Sequence, residues 1–478
     1  MRTLIHIARY EIRMALRDRL ALALGLLIWG LFGLALYTGH LSYQQQQSII
    51  EATQHEKRQE WLGQGDKHPH IAAHYGTFAF KPKTALSLFD YGLDAFTGTS
   101  VYLEAHYQHE FMFRPAQDHS TMIRFGELSA ALVLNILLPL LIIFLAFSSF
   151  TKERERGTLR LMLSQGTTLW TLAWGKILAY GLLVLVLLIP FIVGVGLLVS
   201  AGAKPPTLPD VGLRLLGLLL LYGAYLLFFI FISVAISMRS ATSRNALLLL
   251  LSTWIFFTVL MPKSITNLSE GLHPLPSMRE FKANMEADML VGLDGKSTRE
   301  VRMAALEQQY LQEYEVEEVT QLPFNYEAVQ MQAGEDFGNA VYDHHVEELR
   351  QLLARQNRLG SMASLLNPFL AAQHLAMALC GTDLPSFFHF EDEVETYRRD
   401  LVRRMNQDMR DNSAYGEFYG YKAGVNLWKD VQDFHYQGPA FHTILPHYWL
   451  EILSLVLWVG FGCLLLRWFS SKKFSTHG

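Results

Sequence analysis

Six stretches of this chain are almost free of Asp, Glu, Lys and Arg over about 20 residues each, the length of an α-helix that crosses the hydrocarbon core of a bilayer. A charge at the centre of a membrane span costs about 2.5–3.5 kcal/mol on insertion scales, so such runs are selected. Only 18% of the 478 residues are charged, against about 25% in ordinary soluble domains. The sequence therefore predicts an all-α polytopic membrane protein and excludes a soluble cytosolic enzyme. We place the spans at residues 20–40, 127–150, 177–201, 214–238, 245–262 and 445–468.

Lysine and arginine are concentrated in the segments on one side of these spans. The N-terminus, segment 151–176, turn 239–244 and tail 469–478 are basic, whereas loop 202–213 on the other side holds Lys204 as its single basic residue. The positive-inside rule then places both termini in the cytoplasm, and we expect the bacterial inner membrane as the location. A net charge of −4 with no broad basic surface argues against nucleic acid as a partner.

Two large segments, 41–126 and 263–444, then lie on the extracytoplasmic side. The polar run 44–47 is expected to open a helix in the first segment. Residues 359–382 carry no charge but contain Asn, Pro, Gln and His, so we expect an amphipathic or re-entrant helix at the outer membrane face rather than a seventh span. The second segment is predicted to be mostly helical, because apolar residues recur three and four positions apart. The predicted stretches are 279–320, 335–358 and 391–409.

Residues 1–19 have the pattern of an amphipathic helix. Apolar residues from Ile5 to Ala15 recur at helical spacing, and the opposite stripe is basic. Such a helix lies in the membrane interface with its arginines toward anionic headgroups, so lipid is an expected partner. A plain positive-inside anchor is the alternative. The arginines assigned to the interface are Arg9, Arg13 and Arg17.

The segment between the second and third spans has a distinctive order of residues. Acidic residues precede a Gly-Thr-Leu step that ends at Leu159, and the pair Gly175-Lys176 opens the next span. We expect Thr158 to cap a short helix with one apolar face. A short helix fixed to the ends of two spans can transmit a movement of a cytosolic partner to the membrane spans. A solvated loop that only sets topology is the alternative.

This loop resembles the first cytoplasmic loop of ABC transporter type-2 permeases, in which acidic residues precede a Gly-Thr-Leu step and a coupling helix. Residues 365–390 further resemble the outer segment of a permease subfamily with a large insert, similar to permeases of copper-enzyme maturation systems, although members often have Ser where this chain has Asn367. The resemblance implies that the chain couples to cytosolic ABC ATPase subunits, which hold ATP and Mg²⁺. It also implies pairing with a second permease copy or a related permease. The implied coupling contact is Glu153, Glu155, Gly157, Thr158 and Leu159.

The predicted cytoplasmic segments are too short for a nucleotide-binding fold. The nearest approach to a phosphate-binding loop, Gly295-Lys296-Ser297, lacks the glycine five residues earlier, where Leu290 stands. No Gly-x-Ser-x-Gly nucleophile elbow occurs either. We therefore expect a non-enzymatic permease subunit without a cofactor of its own. The resemblance alone implies that it serves an exporter.

Histidines of the outer segments are candidate metal ligands. His68, His70 and His74 lie close together, and His344–His345 precede two glutamates. Imidazoles with nearby carboxylates suit copper or zinc, although surface or core roles are commoner for histidine. Glu451 lies in the outer turn of the sixth span, where it either lines a substrate path or reaches outward to solvent.

Two other functions fit the same pattern. One is a membrane-anchored scaffold or sensor that transports nothing and binds a partner, such as a periplasmic client, with its outer domain. The other is a metal-handling membrane protein, with copper as the metal. Co-purification with an ATPase separates the first from a permease, and elemental analysis of the purified protein tests the second.

Overall fold

Six long apolar helices form the body of the protein. The structure, a computed structural model, describes residues 2–106, 128–201, 208–417 and 419–471. Within these residues it is an all-α polytopic membrane protein apart from one small hairpin, so the predicted fold class is confirmed. The helices long and apolar enough to cross a membrane are Arg19–Gly63, Ala130–Glu155, Leu169–Leu197, Val211–Arg239, Ser243–Leu272 and Phe441–Ser471.

Before the second span, the elements in chain order are α1 (Arg2–Arg17), α2 (Arg19–Gly63), α3 (Pro69–Ala73), β1 (Thr77–Phe80), α4 (Asp94–Thr97) and β2 (Ser100–Leu103). The second span is α5, which consists of Ala130–Leu132, a π-helical segment Val133–Leu137 and Leu138–Ala146. Two short helices, a third span and a fourth span follow: α6 (Thr151–Glu155), α7 (Thr158–Ser164), α8 (Leu169–Ala201) and α9 (Val211–Arg239).

The fifth span is α10, built from Ser243–Ile255, a π-helical segment Phe256–Leu260 and Met261–Leu272. After it come α11 (Met278–Val291), α12 (Arg299–Glu313), α13 (Tyr326–Ser364), α14 (Pro368–Cys380), α15 (Leu384–Asn412), α16 (Val425–Asp430), α17 (Phe441–Ile444) and α18 (Trp449–Ser471). The stretch 279–320, predicted to be mostly helical with a turn at residues 293–295, contains α11 and α12, and Gly292 ends α11 with a positive φ of 81°. The other two predicted stretches lie inside α13 and α15.

The bundle has two different ends. We call the end that holds α1, α6, α7 and the α9–α10 turn the basic end, and the end that carries residues 64–106 and 273–440 the domain end. At the boundary between α1 and α2, the Asp18 carboxylate accepts a hydrogen bond from the Leu20 amide at 2.9 Å, which caps α2. The chain therefore turns at Asp18, and α1 packs against α8 as a separate helix.

Helix α2 is 45 residues long, about 68 Å at 1.5 Å per residue. It continues without a break through residues 44–47, so the expected helix start at that polar run is wrong. The reason is local, because residues 41–62 contain neither Gly nor Pro. The far half of α2 joins residues 64–106 and 273–440, which we call the outer domain. There Trp61 donates to the carbonyl of buried Trp428 at 2.9 Å.

The two outer segments form one packed unit at the domain end. Strands β1 and β2 pair antiparallel, with Thr77 opposite Leu103 and Phe80 opposite Ser100. This hairpin packs against α15 through an apolar cluster that includes Phe390 and Val394. Residues far apart in the chain thus share one core.

Helix α14 is buried inside the bundle between α9 and α18. Its 13 residues span about 20 Å, which is too short to cross a hydrocarbon core of about 30 Å. Residues 359–382 therefore divide into the end of α13 and a separate helix enclosed by α9 and α18. Asn367 begins α14 by accepting from the Phe369 amide, and it donates to the carbonyl of Phe257 at 2.8 Å.

Arg214 is fully buried at the other end of α14. It donates to the carbonyls of Ala378 and Leu379, both at 3.2 Å, and to that of Pro439 at 2.6 Å. A cation at a helix C-terminus donates hydrogen bonds to the unpaired carbonyls and interacts favourably with the negative end of the helix dipole. Arg214, the first residue of the predicted fourth span, therefore lies inside α9 and holds the C-terminus of α14 in place.

We predict that Gly175→Ala weakens the docking of α1. A Cβ at residue 175 would lie 2.6 Å from the side chain of Ile7, whereas a Cβ at Gly181 on the same helix meets nothing within 4 Å. Overpacking typically costs about 1–3 kcal/mol, while alanine in an open helix position gains up to about 1 kcal/mol over glycine. Thermal unfolding in detergent and protease cleavage within residues 2–17 measure the effect.

Gly181→Ala is the matched control and should leave both measurements unchanged or raise the melting temperature. Equal melting temperatures and equal cleavage of the two variants would show that the contact between α1 and α8 contributes nothing to stability.

Candidate functional site

A buried lysine connects three helices at the basic end. The side chain of Lys176 on α8 is 1% exposed, and its ammonium pairs with Glu11 of α1 and, at 2.7 Å, with Glu153 of α6. Tyr180 donates a further hydrogen bond to Glu11 at 3.4 Å. A buried charge is tolerated only when it is paired, so this cluster fixes α1, α6 and α8 relative to one another.

A second set of contacts fixes α6 to the turn between α9 and α10. Arg154 donates to the carbonyls of Ser240 and, at 2.6 Å, Met238. The Glu155 carboxylate accepts from the amide of Ser243 at 2.7 Å and from its hydroxyl at 3.1 Å. Both predicted acidic residues, Glu153 and Glu155, thus make contacts within the chain.

The short helix α7 presents a mixed surface. It begins at Gly157, whose φ of 72° lies in the left-handed region. Thr158 does not cap the helix as expected; its hydroxyl donates back to the carbonyl of Glu153 at 3.2 Å. Leu159 is buried, whereas Leu161 is 62% exposed. The face open to a partner is therefore Gly157, Thr158, Arg160, Leu161 and Ser164.

The arginines of helix α1 lie on its exposed face. Arg9, Arg13 and Arg17 are exposed, while Ala8 is buried and Ile7 contacts the backbone near Gly175. Part of the predicted apolar face thus packs on α8 rather than facing lipid.

A cavity of about 810 Å³ lies at the domain end, which is within the size range of small-molecule sites. Its walls come from α5, α10, α14 and the loop before α4. Polar groups from all four converge on it: Asp90, Asn135, Asn267, Gln373 and His374.

Glu451 is linked to this cavity through a histidine. Its side chain is 0% exposed, so it does not reach outward to solvent, and it does not line the cavity. Its carboxylate is 3.2 Å from Nδ1 of His374, which does line the cavity. Glu451 therefore orients a wall residue.

Asp90 is a buried carboxyl in the cavity wall. Burial raises its pKa to about 7, a hydrogen bond from the Gly92 amide at 3.0 Å opposes the rise, and the charge of Asp94 adds to it. The charge state of this wall therefore changes near neutral pH.

Three histidines converge in the outer domain, but they are not the predicted three. His70, His74 and His106 have ligand atoms within 4.8 Å of one another. His68 lies outside this group and accepts a hydrogen bond from the Ile71 amide at 3.4 Å, at the start of α3. Burial lowers the pKa of His70 to about 4, whereas the Glu335 carboxylate raises that of His106.

The pair His344–His345 does not converge on one point. His345 lies 2.9 Å from the Asp288 carboxylate and ties α13 to α11, while His344 is 3.6 Å from Glu348 on its own helix. Only His345 of this pair is thus a contact between helices.

Sequence reasoning missed Glu11, His106, His374 and Asp90 as site residues. Glu11 was a detectable signal, since it is the single acidic residue among the basic positions of residues 1–17. The other three gain their roles from contacts with residues distant in the chain, which spacing alone does not reveal.

We predict that Asp90→Asn removes a pH dependence of stability. The folded-state pKa of about 7 lies above the ordinary value of 3.8, so folded protein retains the proton longer. Wild-type stability should then fall as the pH rises from about 4 to 7 and level off above. The melting temperature of the variant minus that of wild type should rise over this interval.

Asp66→Asn, at an exposed position of the same outer segment, is the control and should give a flat difference. A flat difference for Asp90→Asn as well would contradict the role of its burial.

Two family models match the chain. Residues 115–278 match the model described as ABC-2 family transporter protein, which covers the second to fifth spans with α6 and α7. Residues 278–437 match a domain of unknown function, DUF3526. No curated protein matches the chain. The resemblance inferred from the loop at α6 and α7 is thus confirmed over residues 115–278, which match an ABC-2 family transporter domain, and a domain of unknown function follows this segment.

Proposed function

We propose that this chain is the membrane subunit of an ATP-driven exporter in a bacterial inner membrane, with ATP and Mg²⁺ bound by a separate cytosolic ATPase subunit. One observation carries the proposal. The partner-accessible helix α7 follows α6. Helix α6 is fixed to α8 and α1 through the buried Lys176, and to the α9–α10 turn through hydrogen bonds of Arg154 and Glu155. Force applied at α7 would therefore reach four spans: α5, which precedes α6, and α8, α9 and α10.

Orientation follows from the charge at the basic end. Exposed arginines crowd there, and the positive-inside rule places such an end in the cytoplasm. Both termini then lie inside, and the outer domain lies in the periplasm. The exposed arginines of α1 would face anionic lipid headgroups.

The contact with the ATPase is assigned to the exposed face of α7. Leu161 offers an apolar anchor beside the charge of Arg160, and Gly157 and Thr158 flank them. Glu153, Glu155 and Leu159 act behind this face, because their side chains bind or pack against this chain. The exposed residues of α7 contact the ATPase, and Glu153, Glu155 and Leu159 transmit the force to the rest of this chain.

The cavity at the domain end is the proposed substrate chamber, with Glu451 acting on it through His374. It lies under the outer domain, where an exit in an exporter would be covered and released. A second permease copy, or a related permease, would supply the other half of the path. The outer domain is also the surface for any periplasmic client.

We predict that Leu161→Asp weakens binding of the cognate ATPase at least about 10-fold, because an apolar anchor at an interface is typically worth more than about 1–2 kcal/mol. The measurement is a pull-down titration with the purified permease in mild detergent. Leu290→Asp, at a 73% exposed position on α11, is the matched control and should bind normally. Normal binding by Leu161→Asp would exclude α7 as the contact.

A second prediction separates transmission from binding. The double variant Glu153→Ala/Glu155→Ala should still bind the ATPase, since neither side chain belongs to the exposed face of α7, yet it should lose the stimulation of ATP hydrolysis by the permease. Glu56→Ala/Glu60→Ala on α2 serves as the control. A double variant that stimulates like wild type would contradict transmission through α6, and a permease that never binds an ATPase would favour the scaffold function.

A further inference from the structure

We infer that His70, His74 and His106 form a binding site for a divalent transition-metal ion with the coordination geometry of zinc. His70 lies in α3, His74 caps its C-terminus, and His106 follows β2. All three precede the segments that match a family model. The inference is independent of transport.

The spacing of the ring nitrogens is that of ligands around one ion. Nε2 of His70 lies 3.3 Å from Nε2 of His74 and 3.3 Å from Nε2 of His106. Zinc binds imidazole nitrogen at about 2.0–2.1 Å, so tetrahedral angles separate two such nitrogens by about 3.3–3.4 Å. Both distances from His70 match this value, and the ligand atoms of the three residues all lie within 4.8 Å of one another.

The second nitrogen of each ring faces an oxygen. Metal-binding histidines generally have this arrangement, because the oxygen orients the ring and makes the ligating nitrogen more basic. The three contacts from Nδ1 are His106 to Glu335 at 2.5 Å, His74 to Glu104 at 3.5 Å and His70 to Asn406 at 3.2 Å.

These contacts fix where the imidazole protons lie. Carboxylate oxygens only accept, so the rings of His74 and His106 donate from Nδ1. The Asn406 amide is oriented by its own donation to Gln332 at 3.0 Å, which leaves its oxygen to accept from His70. In neutral rings with this tautomer, all three Nε2 lone pairs point into one small space, and a bound cation stabilises that arrangement.

Packed elements hold the site, and one side is open. Arg398 of α15 donates to the carbonyl of Ala105 at 2.6 Å, beside His106, while α13 and α15 supply two of the oxygen partners. The side chains of His74 and His106 are 32% and 40% exposed, so a water can complete the coordination. A bound metal would join the first outer segment to α13 and α15.

The test uses the full chain, purified in mild detergent without a histidine tag and stripped of metal by a chelator. Titration with Zn²⁺ against a chromophoric chelator should give one zinc per chain, and Co²⁺ should give the visible absorption of a tetrahedral ion. His74→Ala and His106→Ala should each abolish stoichiometric binding. Glu335→Gln should weaken zinc affinity by about 10–100-fold, as loss of an outer-shell partner does.

His68→Ala and His55→Ala are the controls and should bind zinc as wild type does, since neither residue belongs to the cluster. The inference is overturned if wild type binds no zinc, if it takes copper but not zinc, or if folded His74→Ala and His106→Ala retain full affinity. Should the alanine variants fail to fold, unchanged zinc affinity in Glu335→Gln overturns it.

Discussion

An ammonium group almost without contact to water lies where three helices of the basic end meet. Removing one partner from a buried ion pair typically costs about 3–5 kcal/mol because a buried charge is left unpaired, so Lys176 requires its carboxylate partners to stay in place. The adjacent Gly175 lets Ile7 approach, which brings Glu11 within reach. Gly175 and Lys176 thus act together: the glycine leaves room for α1 to pack closely, and the lysine pairs with Glu11 of α1.

The sequence was sufficient for the six-helix membrane fold, because a membrane penalises each charge separately and the uncharged runs can be counted along the chain. The loop at α6 and α7 was sufficient for the resemblance to an ABC-2 transporter domain. It was insufficient where charge is buried and paired. Arg214 looked like the edge of a span, yet it lies inside one because α14 offers it carbonyls. His106 lies 32 residues beyond His74, and the hairpin that returns it to α3 leaves too weak a pattern to place it.

The two matched segments are not separate bodies. Helix α14 belongs to the domain of unknown function by sequence, but it lies among the spans and is capped by Arg214 of the permease segment. The cavity is lined from both segments as well. Asn367 bridges α14 to the π-helical segment of α10 through the Phe257 carbonyl. The outer domain is therefore built into the bundle.

The unbroken length of α2 has a mechanical consequence. It starts beside the Asp18 turn and ends against Trp428, so a single rod of about 68 Å connects opposite faces of the membrane. For such a rod, a tilt of one degree about its start moves the far tip by about 1.2 Å, twice the displacement at mid-length. Small rotations of α2 at the basic end would thus produce larger displacements at the domain end, with the first span serving as a lever arm.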